Sequence, residues 1–447
     1  MDVSLAEILL AREERVKLQA EISKRFQCPI ISFTMNIAGP QKNSPLIKRS
    51  FNIGLKHLCD TIGDDSIIFK CIEKDLPTGP LAIFAVKKSA SELKRFCVET
   101  EEKTALGRLF DIDVIDESFQ KISRDRERSW IVCNAPGRAC AAGRLHSLHE
   151  IIDKMNSIMT AHVFEDDANK IADLARQCLI QEVKTTPKPG LVDLRNNGSH
   201  TDMTAEIFER SANVLFDYFV ECIRVGRNTV QLSYKQAFLA LRKAGIKAES
   251  CMYSVTGGIN THKGAIFSFG LLCGAIGRLW TPESPISSTH ELFIETARIA
   301  QNAIEADLMN VSGNTAGERM YIELGSMGIR GEVASGFRSV QNVSLPVYRS
   351  FLDNRQSKND AGVITLLHLI ANVDDTAIYN RGGIDGLKFA KEYAKKLLEN
   401  KKIPTKDLIE EMDEMFIQKN LSAGGSADLL AVTYFIYEIE KLSVAFN

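Results

Sequence analysis

Two carboxylates stand two residues apart in the first third of the chain, within the segment Gly-Arg-Leu-Phe-Asp-Ile-Asp-Val. Aromatic and β-branched neighbours predict a strand over 110–115. Residues two apart on a strand lie on the same face, so Asp111 and Asp113 would stand together. Such a pair suits Mg²⁺ that also binds phosphate oxygens, and the site would stabilise a departing diphosphate. The alternative is a half-exposed strand with one polar face.

A Gly-rich segment with Arg138, Cys140, Arg144 and His146 follows a second predicted strand, at 130–133. Arginine binds phosphate through paired hydrogen bonds, so we expect Arg138 and Arg144 to bind phosphate. His146 can bind a ligand or transfer a proton. No neighbouring pattern indicates a lowered pKa for Cys140, which we interpret as structural.

In the second half, residues 256–264 lead into an apolar helix predicted over 264–279. Backbone N–H groups at a Gly-rich helix start can bind an anion. The spacing differs from that of a Walker A motif. The segment predicts a phosphate site built from Gly257, Gly258, Asn260, His262 and Lys263.

Carboxylates and cations recur in other loops of this half. Lys188 and Asp193 lie in a Pro-Gly-rich turn, and Asp202 follows a Gly-Ser-His-Thr string. Asp374 and Asp375 precede Arg381-Gly-Gly. Acidic residues beside glycines are expected at metal–nucleotide sites, although helix capping explains the same residue types.

These residues must be positioned by two different kinds of domain. Predicted strands and helices mix in the first half, which indicates an α+β domain over 1–163 with a mixed, nucleotidyltransferase-like sheet. In the rest of the chain the apolar residues have only helical spacing, which indicates an all-α domain over 164–447. The predicted strands span 30–35, 66–71, 81–86, 110–115 and 130–133. The predicted helices of the second half include 169–183, 204–224, 234–244, 264–279, 291–308, 362–370, 385–399 and 426–442.

Composition excludes several classes of protein. The 447 residues carry a formal net charge of −2, so we expect neither nucleic-acid nor membrane binding. The longest apolar run, 264–277, is too short to span a bilayer. Ten cysteines without CxxC spacing and without a secretion signal predict a reduced, cytoplasmic enzyme.

Residues 4–160 resemble the apo-citrate lyase phosphoribosyl-dephospho-CoA transferases. The matching strings are Ile-Ser-Phe-Thr-Met-Asn-Ile-Ala-Gly-Pro, Gly-Arg-Leu-Phe-Asp-Ile-Asp-Val and Cys-x-x-x-Arg-x-His-Ser. The resemblance implies transfer of a phosphoribosyl-dephospho-CoA arm to a serine of the acyl carrier subunit of citrate lyase, with loss of diphosphate. Ala142 stands where the family often has arginine.

Residues 170–442 resemble the triphosphoribosyl-dephospho-CoA synthases. Matching strings include Thr-Pro-Lys-Pro-Gly-Leu-Val-Asp, Thr-Gly-Gly-Ile-Asn-Thr-His-Lys-Gly and Gly-Gly-Ser-Ala-Asp-Leu-Leu-Ala. Ala377 and Ala423 depart from the expected asparagine and proline. The resemblance implies that ATP joins 3′-dephospho-CoA and that adenine leaves.

The two resemblances together imply a bifunctional transferase that makes a prosthetic group and then installs it. Implied cofactors are Mg²⁺ on Asp111 with Asp113 and on Asp374 with Asp375. In ribosyl transfer, one carboxylate stabilises the cationic ribosyl group and another accepts a proton, which leaves Asp193, Asp202, Asp374 and Asp375 unranked as candidates. The alternatives are the equivalent arm of malonate decarboxylase, a simple nucleotidyltransferase, and an assembly factor for a carrier protein.

Overall fold

The computed structural model describes residues 2–124, 128, 130–133, 145–286, 288–308, 311–399 and 403–446. The chain divides into two compact units, Met1–Asp166 and Asp167–Asn447. Across these described ranges, no single helix is both long and apolar enough to cross a membrane. One pair of helices, Lys358–Asn372 and Thr376–Leu398, is long and apolar enough when the two are taken together, but the pair is bent by 53°.

Unit 1 is built on one four-stranded sheet. Its strands are β1 (Ile30–Met35), β2 (Ile67–Glu73), β3 (Leu81–Val86) and β4 (Phe110–Ile115), in the order β2-β3-β1-β4. Its helices are α1 (Leu5–Phe26), α2 (Pro45–Ile62) and α3 (Ala90–Glu102).

Every strand pair in this sheet is antiparallel, so the expected mixed sheet is wrong. A helix between two strands suggests a parallel crossover, but β1 pairs with β4 and β3 in the opposite direction. The predicted strand at 130–133 is also wrong, because residues 131–133 form a turn.

The sheet has an apolar layer on each face. One layer joins β1 to α2, where Phe33 stacks on Phe51 with ring centroids 4.6 Å apart and meets Phe110 edge-on. The other layer contains Ile22 of α1 and Ile30 of β1. Alternation along β4 therefore buries Phe110 among the first set and leaves Asp111 and Asp113 on the other face.

Helix α4 (Leu148–Lys184) runs for 37 residues and contains the boundary between the units. Its first half contributes Met155, Ile158 and Met159 to the core of unit 1. In unit 2, Trp280 Nε1 donates to Asp167 Oδ2 at 2.6 Å, and both residues are buried. The segments predicted separately at 148–161 and 169–183 thus form one helix.

The described part of unit 2 is helical, as the apolar spacing predicts. After α4 come α5 (Ala205–Val214), α6 (Phe216–Asn228), α7 (Tyr234–Thr256), α8 (Lys263–Leu279), α9 (Thr289–Leu308), α10 (Ala316–Leu324), α11 (Ile329–Ala334), α12 (Leu345–Asp353), α13 (Lys358–Asn372), α14 (Thr376–Leu398), α15 (Lys406–Gln418) and α16 (Gly424–Phe446).

Helix α8 is the buried centre of this unit. Its contact with α6 is close because glycines face backbone. A Cβ on Gly226 would overlap the carbonyl oxygen of Gly274, and a Cβ on Gly277 would overlap that of Ile223. These positions bring the C-terminal half of α8 into close backbone contact with α6.

Candidate active sites

A cavity of about 830 Å³ lies within unit 2, at the start of α8. That volume is in the range of sites for small ligands and cofactors. The structure brings seven of the predicted residues to its wall: Lys188, Asn260, His262, Lys263, Asp374, Asp375 and Arg381. The wall also contains Glu182, His200 and Asp428.

Gly257 and Gly258 do not form the predicted phosphate site. Both have positive φ and end α7, where the N–H of Gly258 donates to Tyr253 O at 2.8 Å. This is a C-terminal glycine cap. Helix α8 begins only at Lys263, so the two glycines stand at the end of one helix rather than at the start of the next.

A carboxyl group of the protein, that of Asp428, lies at the start of α8, where the sequence predicted a bound phosphate. A backbone hydrogen bond from Ala265 reaches Asp428, and a Cβ on Gly264 would overlap Asp428 Oδ2. The N–H of Lys263 donates to Asn260 Oδ1 at 3.2 Å. The predicted backbone site for a triphosphate is therefore partly filled by the carboxyl group of Asp428.

Lys188 is committed to an internal ion pair. Its side chain is 1% exposed, and its Nζ donates to Glu182 Oε1 at 2.5 Å and to Glu182 O at 2.8 Å. Burial raises the pKa of Glu182, and the Lys188 charge opposes that rise. The predicted phosphate-binding lysine thus lines the cavity with its charge already neutralised.

Asp193 organises the turn before α5 and is not part of the cavity wall. Its Oδ2 accepts from Thr186 Oγ1 at 2.8 Å and from the N–H of Lys188 at 2.9 Å. Its Oδ1 accepts from the N–H groups of Arg195 and Asn196. Asp202 is exposed and likewise lies off the wall. Asp202 nevertheless lies near enough to His200 and Arg381, both on the wall, for its charge to act on the pKa values of those two side chains.

Asp375 caps two helices at once. Its Oδ1 accepts from the N–H groups of Ala377 and Ile378 at the start of α14. Its Oδ2 accepts from the N–H of Ser426, at 2.6 Å, and from Ser426 Oγ at the start of α16. Four donors occupy this buried carboxylate, so it does not fit the predicted role of metal ligand.

Asp374 is half-buried and bonded to Lys391. Burial raises the pKa of Asp374, but the hydrogen bond and charge of Lys391, together with a hydrogen bond from Ser326, outweigh it and hold that pKa below its ordinary value. Because Asp374 is paired with Lys391 and Asp375 caps two helices, these two carboxylates do not fit a Mg²⁺ site.

His200 and Arg381 meet at the cavity. Arg381 Nη2 donates to His200 Nδ1 at 3.1 Å, so the hydrogen on His200 is on Nε2, which donates to Ser422 Oγ at 2.9 Å. Burial and the Arg381 charge both lower the pKa of His200. Arg381 also donates to Ser199 O at 2.7 Å, which indicates that it orients this loop.

His262 is buried with one nitrogen unused. Thr261 Oγ1 donates to Ser211 Oγ at 2.7 Å, which leaves the Ser211 hydroxyl hydrogen for His262 Nδ1, also at 2.7 Å. Nε2 is buried and has no hydrogen-bond partner among the described residues. Burial, aided by the Lys188 charge, lowers the pKa of His262 to about 3. The neutral ring therefore holds its hydrogen on Nε2.

In unit 1, Asp111 and Asp113 lie on one face of β4, as predicted. Asp111 is exposed and accepts a long hydrogen bond from Thr34 Oγ1 at 3.5 Å. Asp113 is paired with Lys121 at 2.6 Å. No cluster of three or more acidic, His or Cys side chains able to hold a metal occurs in the described ranges. Of the two carboxylates, exposed Asp111 is the one open to Mg²⁺ and to phosphate, whereas Asp113 would have to leave Lys121 to bind the metal.

The rest of the predicted unit 1 site is only partly described. His146 stands two residues before α4, and its Nε2 is buried without a partner in the described part of the chain. Arg138, Cys140 and Arg144 lie outside the described residues.

Known proteins resemble both halves of the chain. The family described as ATP:dephospho-CoA triphosphoribosyl transferase matches residues 168–446. The family described as apo-citrate lyase phosphoribosyl-dephospho-CoA transferase matches residues 3–162. These matches confirm both resemblances.

Whole-length relatives combine the same two halves. "Protein CitXG" of Haemophilus influenzae is 36% identical over 450 residues, which cover 97% of this chain and 96% of the relative. "Protein CitXG" of Leuconostoc mesenteroides subsp. cremoris is 32% identical, with 97% of each chain covered. The 2-(5''-triphosphoribosyl)-3'-dephosphocoenzyme-A synthase of Klebsiella pneumoniae is 38% identical over 274 residues, which cover 60% of this chain and 90% of the relative.

Proposed function

The chain belongs to the ATP:dephospho-CoA triphosphoribosyl transferase family, joined to an apo-citrate lyase phosphoribosyl-dephospho-CoA transferase domain, and we propose how its residues perform the two reactions. Unit 2 joins ATP to 3′-dephospho-CoA and releases adenine. Unit 1 transfers the resulting arm to a serine of the citrate lyase acyl carrier, and diphosphate leaves.

The cavity of unit 2 is the proposed site of the first reaction. The observation that carries this assignment is the convergence of separate loops, since residues from 188, 260–263, 374–381 and 424–428 share one wall. Lys263 is half exposed there and is paired with Glu249 at 3.0 Å. We assign Lys263 and Asn260 to the phosphates, because both lie at the open start of α8.

The direct test is adenine release, followed by chromatography, from the full chain given ATP, Mg²⁺ and 3′-dephospho-CoA. We expect adenine only when both substrates are present. A folded protein that releases none under these conditions would contradict the assignment of unit 2.

His262 is proposed to donate from Nε2 to an oxygen of the bound nucleotide. Replacing Ser211 with alanine removes the partner that keeps the ring hydrogen on Nε2, so we expect the KM for ATP to rise by about 5–10-fold, the worth of one hydrogen bond. Ser250→Ala is the control, because Ser250 is an exposed residue of α7 whose hydroxyl donates to Ile246 O. Equal KM values in both variants would argue against the role of His262.

Unit 1 is proposed to hold the triphosphate of the arm beside β4. Asp111 and Asp113 would bind Mg²⁺, which offsets the negative charge of the departing diphosphate. The serine hydroxyl of the carrier attacks the phosphorus next to the ribosyl group, and the bond to the diphosphate breaks. Arg138, Arg144 and His146 remain proposed as phosphate ligands and proton carrier in this nucleotidyltransferase-like step.

The carrier can be identified by competition. We expect the apo-carrier of citrate lyase to be loaded faster than that of malonate decarboxylase when both are present in equal amounts, with loading measured by the mass of each carrier. Faster loading of the malonate decarboxylase carrier would reassign the partner.

A further inference from the structure

Three carboxyl groups at the cavity differ in the ion pairs and hydrogen bonds that stabilise their negative charge. Glu182 is bonded to the ammonium group of Lys188. Asp375 has four hydrogen-bond donors. Asp428, on α16, has a backbone hydrogen bond from Ala265, and no ion pair to it occurs within the described ranges. Of the three, Asp428 therefore has the fewest partners that would stabilise a negative charge.

Its surroundings favour the protonated form of Asp428. Burial, then the negative charges of Glu182 and Asp375, raise the pKa of Asp428 well above its ordinary value, and the Ala265 hydrogen bond opposes them only in part. The ammonium group of Lys188 is already bonded to Glu182. His262, at the start of α8, stays neutral because its pKa is about 3.

We propose that Asp428 is the catalytic acid of unit 2, which gives its proton to a ring nitrogen of adenine as the bond to the ribose breaks. This inference rests on the proposed function of the cavity. The C1′–N9 bond breaks, with its electron pair going to adenine, while the O–C1′ bond to the 2′-hydroxyl of dephospho-CoA forms. The hydroxyl proton returns to the carboxylate, so adenine gains one proton and the hydroxyl loses one.

The geometry at α8 suits both forms of this group. The carboxyl lies on the cavity wall, where a ligand reaches it, and it packs on Gly264. Once the proton has left, the carboxylate faces the N–H of Ala265 at a helix start, which stabilises negative charge. The same negative charge then stands near the cationic ribosyl group.

Asp428→Asn tests the proposal, because the amide keeps the size of the side chain and can still accept from Ala265. We expect kcat for adenine release to fall about 10²–10⁴-fold, while the affinity for ATP stays unchanged. Glu295→Gln is the matched control. Glu295 is also buried, bonded to Arg278 at 2.6 Å, and lies off the cavity wall. This variant should keep its kcat.

The pH profile separates an acid from a structural residue. Wild-type kcat should fall as the pH rises and Asp428 loses its proton. Asp428→Asn should lack this alkaline fall. Glu182→Gln removes the neighbouring negative charge, so the fall should move to lower pH by about one unit.

Two results would overturn the proposal. One is a normal kcat in folded Asp428→Asn, and the other is a wild-type rate that shows no alkaline fall, which decides the matter even if the variant does not fold. Both leave the proposed function intact, because wild-type adenine release is measured first. Absence of that release would refute the proposed function instead.

Discussion

Asp111→Ala is expected to abolish loading of the carrier while adenine release continues at its normal rate. The substitution removes one of two carboxylates on the exposed face of β4, and the phosphates of the arm lose the ligand set for Mg²⁺. We expect at least a 10²-fold loss of transfer, of the size seen when one charge-stabilising group is removed from an active site. The measurement is the mass increase of the apo-carrier after addition of the purified triphosphoribosyl product.

Glu73→Ala, at the exposed end of β2, is the control for a lost carboxylate on the same sheet. It should transfer normally. Folded Asp111→Ala that loads the carrier as fast as the control would exclude Asp111 from the metal site. Loss of adenine release in the same variant would instead indicate a general folding defect.

Asp375→Ala is expected to destabilise unit 2 by about 3 kcal/mol. The lost cap of α14 costs about 1 kcal/mol, and the buried N–H of Ser426 left without an acceptor at the start of α16 adds about 1–3 kcal/mol. Urea unfolding followed through the fluorescence of Trp280, with Trp130 replaced by phenylalanine, reports this unit because Trp280 is buried in it.

The neighbouring Asp374→Ala supplies the comparison. Its carboxylate is 41% exposed and bonded to Lys391, a pair of the kind that contributes about 0–1 kcal/mol. Equal unfolding midpoints for the two variants would show that the double cap on α14 and α16 contributes little to stability.

The sequence predicts unit 1 well where one local pattern decides the structure. Alternation over 110–115 sets both the strand and the shared face of Asp111 and Asp113, and the observed β4 has the same bounds. Strand direction was mispredicted, because pairing depends on contacts far apart in the chain. β1 lies between β3 and β4, an order that no local pattern specifies.

In unit 2 the sequence identifies the loops that line the cavity but not the role of each residue in them. Asp193 and Asp375 have the residue types of a catalytic site and serve as caps, since aspartate performs both tasks equally well. The predicted helix over 234–244 extends to Thr256, so Gly257 ends this helix instead of beginning the next one as predicted. Glu182 gave no signal, because a single acidic residue within a long helix is ordinary until Lys188 is seen beside it.

The course of α4 limits how this chain can be divided by gene fission. The two family matches end at residue 162 and resume at 168, so a break between them falls inside this helix. Met155 and Ile158 would remain with one product, whereas the other would begin beside or beyond Asp167, the partner of Trp280. A division into two proteins would therefore cut α4, and each product would keep only the part of the helix that packs in its own unit.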